Sequence, residues 1–177
     1  MGNLNRRSTI PQILLVGLQG AGKSTLLYAE IADSLESTQG YNYEVRNFLE
    51  DGEGKDIGIW DVSGKEALLP LWSSFYKNIL FSGVIFVIDS DSNEQKLEQA
   101  LGKLHHLTNE EELRDAIFLV IFNTKSNKEK RKPGDLFKIC SLEEIHRSIK
   151  IRCVELNLKG YSEEFRDSMK WFYQNLI

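Results

Sequence analysis

Three runs of consecutive apolar residues set the frame of the chain. Ile13-Leu14-Leu15-Val16 is closed by Gly17, Gly83-Val84-Ile85-Phe86-Val87-Ile88 ends at Asp89, and the third spans Ile117 to Phe122. A short apolar run bounded by a turn signal reads as a strand buried on both faces, the kind found in parallel sheets. Helical spacing appears between them. Leu27, Ile31 and Leu35 fall on one face of a helix predicted over 24–35, and Leu97, Leu101 and Leu104 on one over 94–107. Phe165, Met169 and Phe172 form the stripe of a last helix beginning near Ser162, and a short helix is expected from Leu142 to Arg147. Residues 43–60 read as a hairpin whose tip, 50–56, is too polar to be buried. Ile149, Ile151 and Cys153 alternate with Lys150 and Arg152, as in an edge strand, after a basic loop over 125–132 closed by Pro133. Strands alternating with helices predict an α/β fold, with a mostly parallel sheet covered on both faces. Ligands bind beyond the carboxyl ends of such strands, so the loops after Val16, Trp60, Phe122 and Val154 hold the interest.

The length of 177 residues allows about one domain. Residues 1–9 are expected to be a flexible tail and 10–177 the folded unit. Twenty-two basic against 26 acidic residues give a net charge of −4. That balance argues against nucleic acid as a partner. No apolar run approaches the roughly 20 residues that span a bilayer, and the polar start lacks the apolar stretch of a secretory signal. Cys140 and Cys153 form no Cys-x-x-Cys pair, and the three histidines lack ligand spacing. A disulfide framework and a zinc site are not expected, and a cytoplasmic setting fits.

The sharpest motif is Gly17-Leu18-Gln19-Gly20-Ala21-Gly22-Lys23-Ser24. It satisfies G-x-x-x-x-G-K-[ST] between a predicted strand and a predicted helix. Glycines let the backbone close around an anion, with several N–H groups turned inward and the start of a helix behind them. The Lys23 ammonium can bridge outer phosphates, and the Ser24 hydroxyl can ligate Mg²⁺. Asp61-Val62-Ser63-Gly64 follows at the end of the predicted strand over 57–60. An acid there can hold Mg²⁺, and the Gly64 N–H can meet a terminal phosphate. A nucleotide kinase or ATPase would want an Arg-rich lid as well, and none is evident.

With these residues in place, the chain resembles the ADP-ribosylation factor and Arf-like small GTPases over nearly its whole length. Residues Gly17 to Tyr28 look like that family's GLDxAGKTTLLY, Thr38-Gln39-Gly40-Tyr41-Asn42-Tyr43 like its switch I, and Trp60-Asp61-Val62-Ser63-Gly64-Lys65 like its WDVGGQ. Pro70-Leu71-Trp72, Phe86-Val87-Ile88-Asp89-Ser90 and Glu112-Leu113-Arg114-Asp115-Ala116 strengthen the likeness. The resemblance implies a doubly wound P-loop G domain of six strands, five parallel and one antiparallel at the edge, acting as a GTP/GDP-dependent switch with Mg²⁺. It implies nucleotide contacts from Gln19, Gly20, Ala21, Gly22, Lys23, Ser24, Thr25 and Gly64, and Mg²⁺ contacts from Ser24, Thr38 and Asp61. It also implies strands within 41–60 that slide between nucleotide states. Protein effectors would meet the switch regions, with Trp60, Trp72 and Tyr76 read either as a partner-binding cluster or as core.

Three departures shape the expectations. Lys65 stands where the family has the Gln that orients the attacking water, and an ammonium can only donate. Intrinsic hydrolysis is therefore expected to be very slow, and no catalytic residue is assigned. The guanine-reading Asn/Thr-Lys-x-Asp is degraded: Thr124-Lys125-Ser126-Asn127 is taken as the best register, with Asn123-Thr124-Lys125-Ser126 the ungapped one, and neither ends in Asp. Thr124, Lys125 and Asn127 are the expected base contacts. A final Asn would leave a polar mismatch toward guanine of about 1–3 kcal/mol, while suiting xanthine. In the late loop, Val154-Glu155-Leu156-Asn157 shows no identifiable base-contacting Ala. Met1-Gly2-Asn3 resembles myristoylated family members, but the M-G-x-x-x-[ST] pattern fails at Arg6. A solvated tail and weak peripheral membrane attachment through Gly2 both remain open. So does a non-switching pseudo-GTPase scaffold of the same fold.

Overall fold

The computed structural model describes residues 10–28, 38–49, 52, 54–126, 131–141, 145, 149–160 and 162–176. Six strands form one sheet: β1 (Gln12–Val16), β2 (Tyr41–Arg46), β3 (Ile57–Val62), β4 (Gly83–Asp89), β5 (Ile117–Asn123) and β6 (Ile151–Leu156). Their spatial order is β2-β3-β1-β4-β5-β6. Only the β2–β3 pair is antiparallel, with Tyr43 opposite Trp60. The others run parallel, as the apolar runs predict.

Alternate residues of the central strands feed two separate cores. Leu14, Val16, Val84, Phe86, Ile88, Phe118, Val120 and Phe122 face one side, where helix α2 (Trp72–Tyr76), helix α3 (Glu94–Thr108) and helix α4 (Pro133–Ile139) lie. Ile13, Leu15, Ile85, Val87, Leu119 and Ile121 face the other, against helix α1 (Lys23–Leu27) and helix α5 (Glu163–Asn175). Both faces of the sheet are thus covered, which is why the strands read as unbroken apolar runs rather than alternating ones. The two long helices start on side-chain caps. Asn93 accepts from the Lys96 N–H at 2.9 Å, and Ser162 from the Phe165 N–H at 3.2 Å.

Several expectations meet the structure unevenly. Of the helix predicted over 24–35, Lys23–Leu27 is helical and 29–37 lie outside the described residues. Most of the helix expected over 142–147 also lies outside them, as do residues 1–9. Helix α4 was not expected. It begins at Pro133, whose fixed φ suits a first helical position, and it buries Leu136 with Cys140 just beyond its end. Trp72 and Tyr76 are core residues, 3% and 4% exposed, so of the expected aromatic cluster only Trp60 reaches the surface. There it meets Tyr41, Tyr43 and Phe75, with ring centroids 4.8–6.1 Å away.

Candidate functional site

The loop from Gly17 to Gly22 joins β1 to α1 at the carboxyl edge of the sheet. Gly22 adopts φ +104°, and a Cβ there would lie 2.2 Å from the Asn123 amide nitrogen. Only glycine meets both conditions. The first-turn amides of α1, from Lys23, Ser24 and Thr25, have no intrahelical acceptor and lie just past the loop. Gly64 presses on the loop from the other side. Its carbonyl accepts from the Gln19 N–H at 2.9 Å, and a Cβ at Gly64 would lie 2.1 Å from the Gly17 carbonyl oxygen. Gln19, Gly20, Ala21, Gly22, Lys23, Ser24 and Thr25 thus form one continuous loop and first turn, with Gly64 packed against it.

A buried charge pair underlies this cradle. Lys23 is 7% exposed, and its ammonium donates to the Gly17 carbonyl at 3.0 Å. Burial lowers the Lys23 pKa, and Asp61 pulls it back up. Asp61 is fully buried at the end of β3. Burial raises its pKa, while the Lys23 charge and a hydrogen bond from Thr38 act against the rise. The Thr38 hydroxyl donates to Asp61 Oδ2 at 3.2 Å, whereas Oδ1 has no hydrogen-bond partner among the described residues. An unpartnered buried carboxylate oxygen is costly unless something positive meets it. The donor set of Ser24, Thr38 and Asp61 is all oxygen, which fits Mg²⁺. No three His, Cys, Asp or Glu side chains converge among the described residues, so a metal here would draw further ligands from phosphate and water, as Mg²⁺ does.

The segments around the cradle are tied to one another. The Ser63 N–H donates to the Gly40 carbonyl at 2.7 Å, and the Lys65 ammonium donates to Gln39 Oε1 at 2.7 Å. Ser63, where the family pattern has Gly, is accommodated in the interior. Its carbonyl accepts from the Trp72 indole N–H at 2.9 Å, and its hydroxyl from the Lys65 N–H at 3.3 Å.

The base-reading end differs from the expected register. Asn123 closes β5 with its side chain 102 residues from its partner in sequence: the amide nitrogen donates to the Ala21 carbonyl at 2.9 Å. Its Oδ1 accepts from the Leu158 N–H at 3.2 Å. One buried amide thus joins the phosphate loop, β5 and the turn after β6. This tie falls on the first residue of the ungapped register Asn123-Thr124-Lys125-Ser126, which sets Thr124 at the Lys position and Ser126 at the Asp position. Asn127, the last residue of the gapped register, lies outside the described residues. Thr124 is buried and directs its hydroxyl to Asp91 Oδ2 at 3.4 Å, while Lys125 Nζ lies 4.0 Å from Asp89 Oδ2. The turn beside Asn123 is Asn157-Leu158-Lys159, which begins at the last residue of Val154-Glu155-Leu156-Asn157. Asn123, Asp91 and Glu155 were missed as site residues. The tie from Asn123 could have been suspected only from the ungapped motif.

The family model for the ADP-ribosylation factor family matches residues 1–176. The chain belongs to the ADP-ribosylation factor family. The six-stranded sheet and its P-loop are the G-domain architecture that the resemblance implied. A solved structure of the Arl6 BBS3 small GTPase from Trypanosoma brucei, with bound nucleotide analogue GppNp, superposes with a TM-score of 0.74 at 23% identity, covering 94% of this chain and 96% of that one. At that identity the likeness speaks for the fold. No helix among the described residues of this Arf-family chain is long and apolar enough to cross a membrane.

Proposed function

We propose that the chain is an Arf-family nucleotide switch that binds GTP and GDP with Mg²⁺, hydrolyses GTP very slowly on its own and reads guanine weakly. One observation carries the reading: a fully buried Asp61 that Thr38 bonds at Oδ2 and that has Oδ1 unpartnered among the described residues, together with a buried Lys23 ammonium held by the Gly17 carbonyl of the glycine loop. The amides of Gly20, Gly22, Lys23, Ser24 and Thr25 and the Lys23 ammonium bind the phosphates, while those of Gln19 and Ala21 shape the loop through the Gly64 and Leu18 carbonyls. Ser24, Thr38 and Asp61 hold Mg²⁺, which when bound neutralises phosphate charge. Thr38 leads directly into β2, so a change in what Thr38 binds is felt by the exposed strip of Tyr41, Trp60 and Phe75, where a protein effector docks. Calorimetry with Mg²⁺ and each of GTP, GDP and ATP tests this reading. Heat from GTP and GDP is expected, and none from any nucleotide would overturn it.

Lys65 sets the hydrolysis rate. Its ammonium has no acceptor for a water proton and is turned to Gln39. Lys65→Gln restores a side chain that both donates and accepts, and raises single-turnover GTP cleavage about tenfold or more. Quenched-flow phosphate release measures it, and an unchanged rate would refute the assignment.

A second reading is favoured by the same contacts. The bonds from Gln39 and Gly40 to the 63–65 turn are made by the protein's own atoms, so a third phosphate has less to gain by closing this region. The chain would then be a static holder of nucleotide, a pseudo-GTPase scaffold. Similar amide exchange over 38–46 in the GDP- and GppNp-loaded forms would favour that reading, and a marked difference favours the switch.

The tail belongs to the proposal too, with Gly2 acylation as a weak membrane tether for a cytoplasmic protein. A single chain gives only marginal attachment. Co-expression with an N-myristoyltransferase should add one acyl group by intact mass, lost in Gly2→Ala.

A further inference from the structure

Guanine differs from other purines in offering two adjacent donors, N1–H and the 2-amino group, and a carboxylate is the side chain that can accept both. At the carboxyl end of β4, β5 and β6 the described carboxylates are Asp89, Asp91 and Glu155, and each is engaged within the protein. Asp89 accepts from the Asp91 N–H at 3.0 Å and faces Lys125. Glu155 accepts from the Ser90 hydroxyl and the Arg131 N–H. Asp91 is bound most heavily. It accepts from the Lys125 N–H at 2.7 Å, the Ser126 N–H at 3.2 Å and the Ser126 hydroxyl at 3.0 Å, with the Thr124 hydroxyl at 3.4 Å.

We propose that Asp91 and Ser126 together determine base specificity: position 126 carries no carboxylate, and the one beside it, Asp91, organises the 124–126 backbone instead of facing a base. The nucleotide is then held by its polyphosphate, and purines differing only at the 2-position bind alike. This rests on the nucleotide-binding reading above. A carboxylate placed at position 126 alone would not restore base reading. Ser126→Asp alone sets a second carboxylate within hydrogen-bond reach of Asp91, and two like charges there oppose each other. Asp91→Asn removes the conflict, since an amide oxygen still accepts from Lys125 N–H and its NH₂ can donate to Asp at 126.

Competition binding against a fluorescent triphosphate, with Mg²⁺, tests it using GTP and ITP, which lacks only the 2-amino group. The wild-type chain is expected to bind the two within about threefold. The double variant Asp91→Asn, Ser126→Asp is expected to prefer GTP by about tenfold or more, with ITP unchanged. Ser126→Asp alone should gain less preference and melt at lower temperature. A wild-type preference for GTP of about tenfold or more would overturn the proposal, as would a double variant that binds GTP with the ratio unmoved. Failure of the wild type to bind any triphosphate would sink the nucleotide reading itself and is thereby told apart.

Discussion

Lys23→Ala should lower affinity for GTP and GDP by about a hundredfold or more. A hydrogen bond to a charged group contributes about 1.5–3 kcal/mol, and here the ammonium is buried among backbone groups where water screens it little. The substitution also removes the positive charge that acts against protonation of Asp61. The sign of the resulting pH effect follows from burial. A carboxyl whose pKa is raised by folding binds its proton more tightly in the folded state, so the stability it contributes is present at low pH and lost as pH rises through the folded value. Without Lys23 the rise is larger. The variant should therefore lose stability relative to wild type as pH climbs above the ordinary carboxylate range. Isothermal titration reads the first effect, and denaturant melts at several pH values read the second. Unaltered affinity in a folded variant would mean that the phosphates bind elsewhere.

Asn123→Ala should destabilise the fold by about 2–5 kcal/mol, because it strands two buried groups at once, each worth about 1–3 kcal/mol when left unpaired. Those groups are the Ala21 carbonyl and the Leu158 N–H. The loss is expected in urea unfolding without nucleotide, which separates it from any effect on binding. Asn123→Asp keeps the acceptor for Leu158 but sets a buried carboxylate oxygen against the Ala21 carbonyl, and should destabilise at least as much as alanine. A change below about 0.5 kcal/mol for Asn123→Ala, the range of ordinary surface substitutions, would show that the amide ties nothing together.

The sheet was legible because parallel strands buried on both faces must be apolar throughout, and Ile13 to Val16, Gly83 to Ile88 and Ile117 to Phe122 obey that rule. The phosphate loop was legible because its chemistry is local: eight consecutive residues carry it. The region around Asn123 and Ser126 was not, since its contacts are spread across four loops. Nothing near Asn123 in sequence announces Ala21 or Leu158, and nothing near Ser126 announces Asp91. Helix α4 escaped because Pro133 was read as the close of a basic loop, although the same residue opens a helix. Trp72 and Tyr76 were ambiguous for another reason, since aromatic residues serve cores and interfaces alike. Burial alone separated them from Tyr41 and Phe75.

The order of the strands also distributes stiffness. β1 lies between two parallel neighbours, and Ile13 to Val16 are completely shielded, so displacing it would disturb both cores together. β2 has a neighbour on one side only and leaves Tyr41, Tyr43 and Val45 about half open to water. Few apolar contacts and a solvated backbone make local opening cheap. A loop carried on β1 thus stands on an unyielding strand, while the margin formed by β2 is the more pliable of the two.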